Sequence, residues 1–127
     1  MSEEAKVIDQ ITEAAKRRAE EVKAIKTTAE NLKSKHGLKS IHVVEVPNDK
    51  IGEPGHVLYI RPITRHAFTE LTINGKDDQT YAAIVRDTLA IREQSSDEFW
   101  EDDAVFLASM MNIINILEVK KSTLTTY

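Results

Sequence analysis

The sequence predicts an α+β domain: a long amphipathic helix at the N-terminus, one β-hairpin, and a mostly helical C-terminal half that ends in a buried last helix. Three stretches carry this. Residues 2–36 contain no proline and no glycine and are rich in Ala, Glu and Lys, so propensity alone favours a helix. Residues 39–62 hold two β-branched and aromatic runs, KSIHVVEV and HVLYIRP, joined by the turn-rich PNDKIGEPG. Residues 104–119, AVFLASMMNIINILEV, are apolar except for Ser109, Asn112, Asn115 and Glu118, which recur every three residues and would form one narrow stripe on a helix. That helix is expected to be buried on most of its circumference and to form the centre of the core. It falls short of the about 20 mostly apolar residues that cross a bilayer.

Composition bounds the rest. At 127 residues the chain is one domain by length, with a single modest core. Charged residues make up 30% and the net charge is -4 with both signs interspersed, so there is no basic footprint for nucleic acid and none for an anionic membrane. The absence of cysteine removes disulfides, thiolate nucleophiles and Cys-type zinc sites, and fits a reducing compartment. No apolar leader follows the acidic start MSEEAKVIDQ, so a cytoplasmic protein is expected.

The first helix carries a heptad. With Ile8 at position a, the a residues are Ile8, Ala15, Val22 and Ala29, and the d residues are Ile11, Arg18, Ile25 and Leu32. Every seam position but Arg18 is apolar, and most of the remaining circumference is charged. A helix with one thin seam is marginal in water and needs something to lie against. The alternatives are its own domain, a second copy, or an outside helical partner. Residues 1–36 are therefore set apart as a unit for self-association or partner binding, and residues 37–127 as a small α+β domain. Ile8, Ile11, Ala15, Val22, Ile25 and Leu32 are the candidate partner-binding residues on this helix. Lys33, Lys35 and His36 followed by Gly37 mark its end, with basic residues in the last turn and a glycine able to take positive φ.

A lone hairpin is unstable, so one face must rest on a helix, for which residues 104–119 are the candidate. Thr64 is the expected N-cap of a short helix that ends at Asn74-Gly75, and Asp77 or Asp78 starts the next, which is expected to end between Glu93 and Ser96. Phe99 and Trp100 lie in an acidic run. Either one of them staples onto the first turn of the last helix while Asp102 and Asp103 cap it, or the pair is an exposed anchor for a partner. Lys120 and Lys121 are expected at the negative end of that helix dipole.

Chemistry-bearing constellations are few. His42 and His56 sit on opposite hairpin arms and could face one another, but two imidazoles leave a metal's coordination sphere short, and exposed strand histidines are the ordinary reading. No nucleophile elbow or glycine-rich phosphate loop is present. No catalytic residue, metal site or cofactor is assigned, and the chain is expected not to be an enzyme.

A helix ending Lys35-His36-Gly37, a hairpin ending Tyr59-Ile60-Arg61-Pro62, a middle helix, the acidic pair Asp102-Asp103 before Phe106-Leu107-Ala108, and a closing Leu117-Glu118-Val119-Lys120 follow one another in an order that resembles small tail assembly chaperones encoded by bacteriophages and prophages. The resemblance spans roughly Asn31 to Leu124. It implies a non-enzymatic cytoplasmic helper that coats a long, aggregation-prone tape measure protein until tail-tube subunits replace it. It also implies that a longer, frameshifted form can accompany the short one. The expected partners are a helical protein client and further copies of the chain, with neither nucleic acid nor membrane. The alternative is a structural virion protein, a connector or capsid-associated part, docked through its N-terminal helix.

Overall fold

The computed structural model describes residues 3–50 and 52–125, with side chains for 6–50 and 52–116. Its elements run α1 (Glu3–His36), β1 (His42–Val46), β2 (His56–Ile60), α2 (Arg65–Asn74), α3 (Asp78–Leu89), a one-turn 3-10 helix (Arg92–Gln94), α4 (Glu98–Glu101) and α5 (Asp103–Thr125). The protein is thus α+β, with one antiparallel hairpin after a long N-terminal helix. Among the described residues no helix is long and apolar enough to cross a membrane.

The hairpin organises the packing, because both of its faces are covered. Val44 pairs with Leu58 and Val43 with Tyr59, and alternation along each strand sends these pairs to opposite sides. On the inner side Val44, Val46, Leu58 and Ile60 join Leu71 of α2, Tyr81, Ala82, Val85 and Leu89 of α3, Phe99 of α4, and Val105, Phe106 and Ile113 of α5 in the main core. On the outer side Tyr59 joins Ala29 and Leu32 of α1 and Ile91, with Ile25, Leu38, Ile41, Val43 and Val57 around them. The end of α1 is therefore part of the folded body. The division expected at Gly37 fails for this part of the helix, since without Ala29 and Leu32 the outer face of the hairpin would meet water.

α1 ends as its sequence requires. Gly37 adopts φ 64, a left-handed conformation that a side chain would strain, and the Leu38 N–H turns back to the Lys33 carbonyl at 2.9 Å. Thr64 caps α2 by accepting from the Ala67 N–H at 3.2 Å, and Asp77 caps α3 by accepting from the Thr80 N–H at 2.7 Å. Gly75 has an ordinary negative φ. It is glycine because a Cβ there would lie 2.6 Å from the Leu71 carbonyl oxygen and 2.7 Å from the Tyr81 ring.

α3 stops at Leu89, earlier than its periodicity predicts. Ala90 instead forms a β-bridge to Ile60, and the Arg61 and Ile91 N–H groups donate across to Leu89 and Tyr59 at 3.0 and 2.8 Å. Ser95 and Ser96 continue the job, their hydroxyls accepting from the Tyr59 and Val57 N–H groups at 3.0 Å each. The segment closes the free edge of β2, whose buried N–H groups would otherwise lack partners.

α5 lies against α3, α4 and β1. It is covered on one side only, contrary to the expectation of burial around most of its circumference: Val105, Phe106, Ser109 and Ile113 are buried, whereas Ala104, Leu107, Ala108, Met111, Asn112 and Asn115 are exposed. Ser109, expected on the polar stripe, is wholly buried and satisfied by donating to the Phe106 carbonyl at 2.7 Å. The expected roles of Glu118, Lys120 and Lys121 fall outside the described side chains. His42 and His56 do not face one another. His42 pairs with Ile60 and His56 with Val46, which separates the two by four ladder positions, about 13 Å.

Candidate interaction surface

α1 has 34 residues, which at 1.5 Å per residue gives about 51 Å. Each hairpin strand has 5 residues, only about 17 Å. The helix must overhang the body, and its heptad divides accordingly. Leu32 is 3% exposed and Ala29 is buried, both under the hairpin's outer face, and Ile25 is half-buried beside them. Every described residue from Lys6 to Glu20 is exposed. Within and just after that stretch lie Val7, Ile8 at 61% exposure, Ile11 at 63%, Ala15 and Val22. The seam that docks the lower half of α1 thus continues upward as an uncovered apolar stripe.

Arg18 marks the changeover. Its guanidinium grips Glu45 of β1 through Nη1 at 2.8 Å and Nη2 at 3.3 Å, with Glu21 at 3.5 Å. Glu45 holds the Arg18 guanidinium more firmly in its charged form. The flaw in the heptad is therefore a clasp to the body, so Arg18→Leu would remove that clasp rather than restore a seam residue. The hairpin loop reaches α1 at the same level, since a Cβ on Gly52 would lie 3.3 Å from Arg17 Nη1.

A second clasp fixes the other end. Glu93 of the 3-10 turn accepts from Lys35 Nζ at 2.6 Å and pairs with His36 Nε2 at 2.7 Å, while Arg61 Nη2 lies 3.5 Å from His36 Nδ1. The Lys35 bond, then the His36 bond, hold the Glu93 carboxyl below the usual carboxylate range. Between the clasps Tyr59 is buried beneath α1, and that burial pushes its phenol upward. Two surface clasps and one small apolar contact hold the lower part of α1, and the described residues above them, Lys6 to Lys16, stand clear of the body as an arm.

Of the residues predicted for partner binding, Ile8, Ile11, Ala15 and Val22 lie on this arm. Ile25 and Leu32 are drawn into the body. Phe99 is wholly buried in the main core with Val105 and Phe106 and is removed from the accessible surface. Trp100 is half-buried, packs on that core, and carries the Arg92 guanidinium 4.7 Å from its ring. Reading the sequence missed Val7, which stands beside the seam. It also missed Leu107 and Met111, exposed four residues apart on α5. The polar stripe of that helix marks Asn112 and Asn115 as outward, but it carries no sign that the exposed face is wide enough to include Leu107 and Met111.

Elsewhere the hairpin loop and the start of α5 border a cleft of about 430 Å³ lined by Asp49, Glu53, His56, Glu98 and Asp102 among others. His56 Nδ1 lies 3.7 Å from Glu98. Among the described residues no three His, Asp or Glu side chains converge as a metal-binding group. Comparison with protein-family models, with curated proteins and with solved structures finds no match to this chain.

Proposed function

We propose that this protein is a non-catalytic assembly helper of the tail-assembly-chaperone kind, whose α1 arm holds a helical, aggregation-prone client of the tape-measure type in the host cytoplasm. The observation that carries the reading is the uncovered stripe Val7, Ile8, Ile11, Ala15 and Val22 on the part of α1 that extends beyond a body whose main core is built without it. Exposed apolar surface on a projecting helix is suited to reversible contact with the apolar face of another helix. The order of short motifs that resembles the phage proteins supplies the client class. Co-expression with a tape-measure-type protein tests it. Wild type is expected to raise the soluble fraction of the client, and Ile8→Asp with Ile11→Asp to lose that effect while the body stays folded. A client equally soluble with the double variant sinks the reading. Mass spectrometry of purified phage particles addresses the alternative, because a virion component would be present in stoichiometric amount and a chaperone absent.

A further inference from the structure

We propose that Asn74 is a self-modifying site: the backbone nitrogen of Gly75 attacks its side-chain amide whenever the last turn of α2 opens, and the product keeps that turn open. This inference goes beyond the client reading and does not depend on it. Of the asparagines in the chain, Asn74 alone is followed by glycine. Asn31, Asn48, Asn112 and Asn115 precede Leu32, Asp49, Ile113 and Ile116, whose side chains crowd the nitrogen that would have to attack. Glycine leaves that nitrogen unhindered and its backbone free to turn. Asn74 is exposed at the end of α2, and among the described residues its side chain has no hydrogen-bond partner. Asn48, by contrast, is held at both ends of its amide, Oδ1 accepting from the Lys50 N–H at 2.9 Å and Nδ2 donating to the Pro54 carbonyl at 3.3 Å.

The folded turn holds the reaction back. The Gly75 N–H donates to the Leu71 carbonyl at 2.8 Å, and the Asn74 carbonyl accepts from the Lys76 N–H at 3.0 Å. Helical backbone at Asn74 also keeps the Gly75 nitrogen turned away from the Asn74 Cγ. When the turn opens, as helix ends do, that nitrogen bonds to Cγ and gives up its proton, and the side-chain nitrogen leaves as ammonia. The resulting cyclic imide is opened by water at either carbonyl, giving aspartate or isoaspartate at position 74 with no oxidant or reductant consumed. Neither product fits. Isoaspartate adds a methylene to the main chain just ahead of Gly75, where even a Cβ would lie 2.6 Å from the Leu71 oxygen and 2.7 Å from the buried Tyr81 ring. Aspartate sets a negative charge at the negative end of the α2 dipole, one turn after Glu70 and shortly before Asp77 and Asp78, against the one positive charge of Lys76. Asp77 is ionised there, because the bond from the Thr80 N–H holds its carboxyl below the usual carboxylate range.

Peptide mapping of the full chain after incubation at mildly alkaline pH, once folded and once in guanidinium chloride, reads the site. The folded chain is expected to gain the mass of amide-to-acid conversion at Asn74 and at no other asparagine, about tenfold or more slowly than the unfolded chain, with isoaspartate among the products. The converted fraction is expected to unfold at a lower midpoint than the intact chain, and Asn74→Asp made directly to show part of that loss. Asn74→Gln, whose longer amide closes a ring far less readily, is expected to keep the wild-type midpoint and to lose the conversion. Equal rates in the folded and unfolded chains would mean that α2 gates nothing. A folded chain still intact when the unfolded one has converted completely would mean that the turn never opens to the reaction. Either result overturns the proposal, as does a converted chain whose midpoint is unchanged.

Discussion

Leu32→Ala distinguishes a docked helix from a merely adjacent one. The side chain is 3% exposed and sits between Ala29, Tyr59 and Ile91. Shortening Leu to Ala withdraws three carbons, about 2.4 kcal/mol at about 0.8 kcal/mol for each buried CH₂. The vacated space lies between a helix and a two-stranded sheet and can only partly collapse, adding about 1 kcal/mol of cavity cost. A loss of about 3 kcal/mol is expected, which for a chain of this size lowers the midpoint by about 10–15 °C. Ile11→Ala, on the same seam one arm's length away, removes a side chain that is 63% exposed. Its lost apolar contact is largely offset by the better helix propensity of alanine, so a change within about 0.5 kcal/mol is expected. Urea unfolding of the three chains, followed by far-UV circular dichroism, measures both. Equal losses for Leu32→Ala and Ile11→Ala would refute the docking of α1 on the hairpin. Deletion should divide at the same place. Removing residues 1–16 leaves the unfolding midpoint of the body nearly unchanged, and removing 1–30 lowers it sharply by uncovering Tyr59 and Val43.

Phe99→Ala is expected to cost about 4 kcal/mol because the ring is wholly buried, and Trp100→Ala clearly less, as unfolding curves would show. Gly75→Ala drives a methyl group into the Leu71 carbonyl and the Tyr81 ring and should destabilise by about 1–3 kcal/mol, read from the thermal midpoint. Glu93 is held below its unfolded carboxylate range by Lys35 and His36, so its stabilisation is present above about pH 4.3 and is lost as pH falls through its lower folded value. A pH series of urea midpoints should show this acid limb in the wild type and a shallower one in Glu93→Gln. Tyr59 is shifted the other way, upward by burial, so its contribution holds below about pH 10 and fades as pH rises through its higher folded value.

What the sequence determined by itself is local. The run without proline or glycine before Gly37, the two β-branched arms around PNDKIGEPG, and the caps at Thr64 and Asp77 each depend on neighbours within a few residues, and each element stands where those signals put it. What only the tertiary structure decided is which side of each element is covered. Ile11, Arg18 and Leu32 are all d positions of one heptad, yet one is exposed, one clasps Glu45 and one is buried. The difference comes from a hairpin far shorter than the helix it supports, a length relation that no periodicity in α1 encodes. The same holds for the free edge of β2. Ser95 and Ser96 read as the end of a helix, but the ladder of β2 leaves N–H groups that something must satisfy, and these hydroxyls lie within reach only once the chain has folded back. In α5, the polar stripe pointed Asn112 and Asn115 outward, but contact with α3, α4 and β1 decided how wide the exposed face is and that Ser109 lies inside. Burial is a property of pairs of elements, so a pattern on one element can say that a face needs covering but not what covers it, nor where the cover ends.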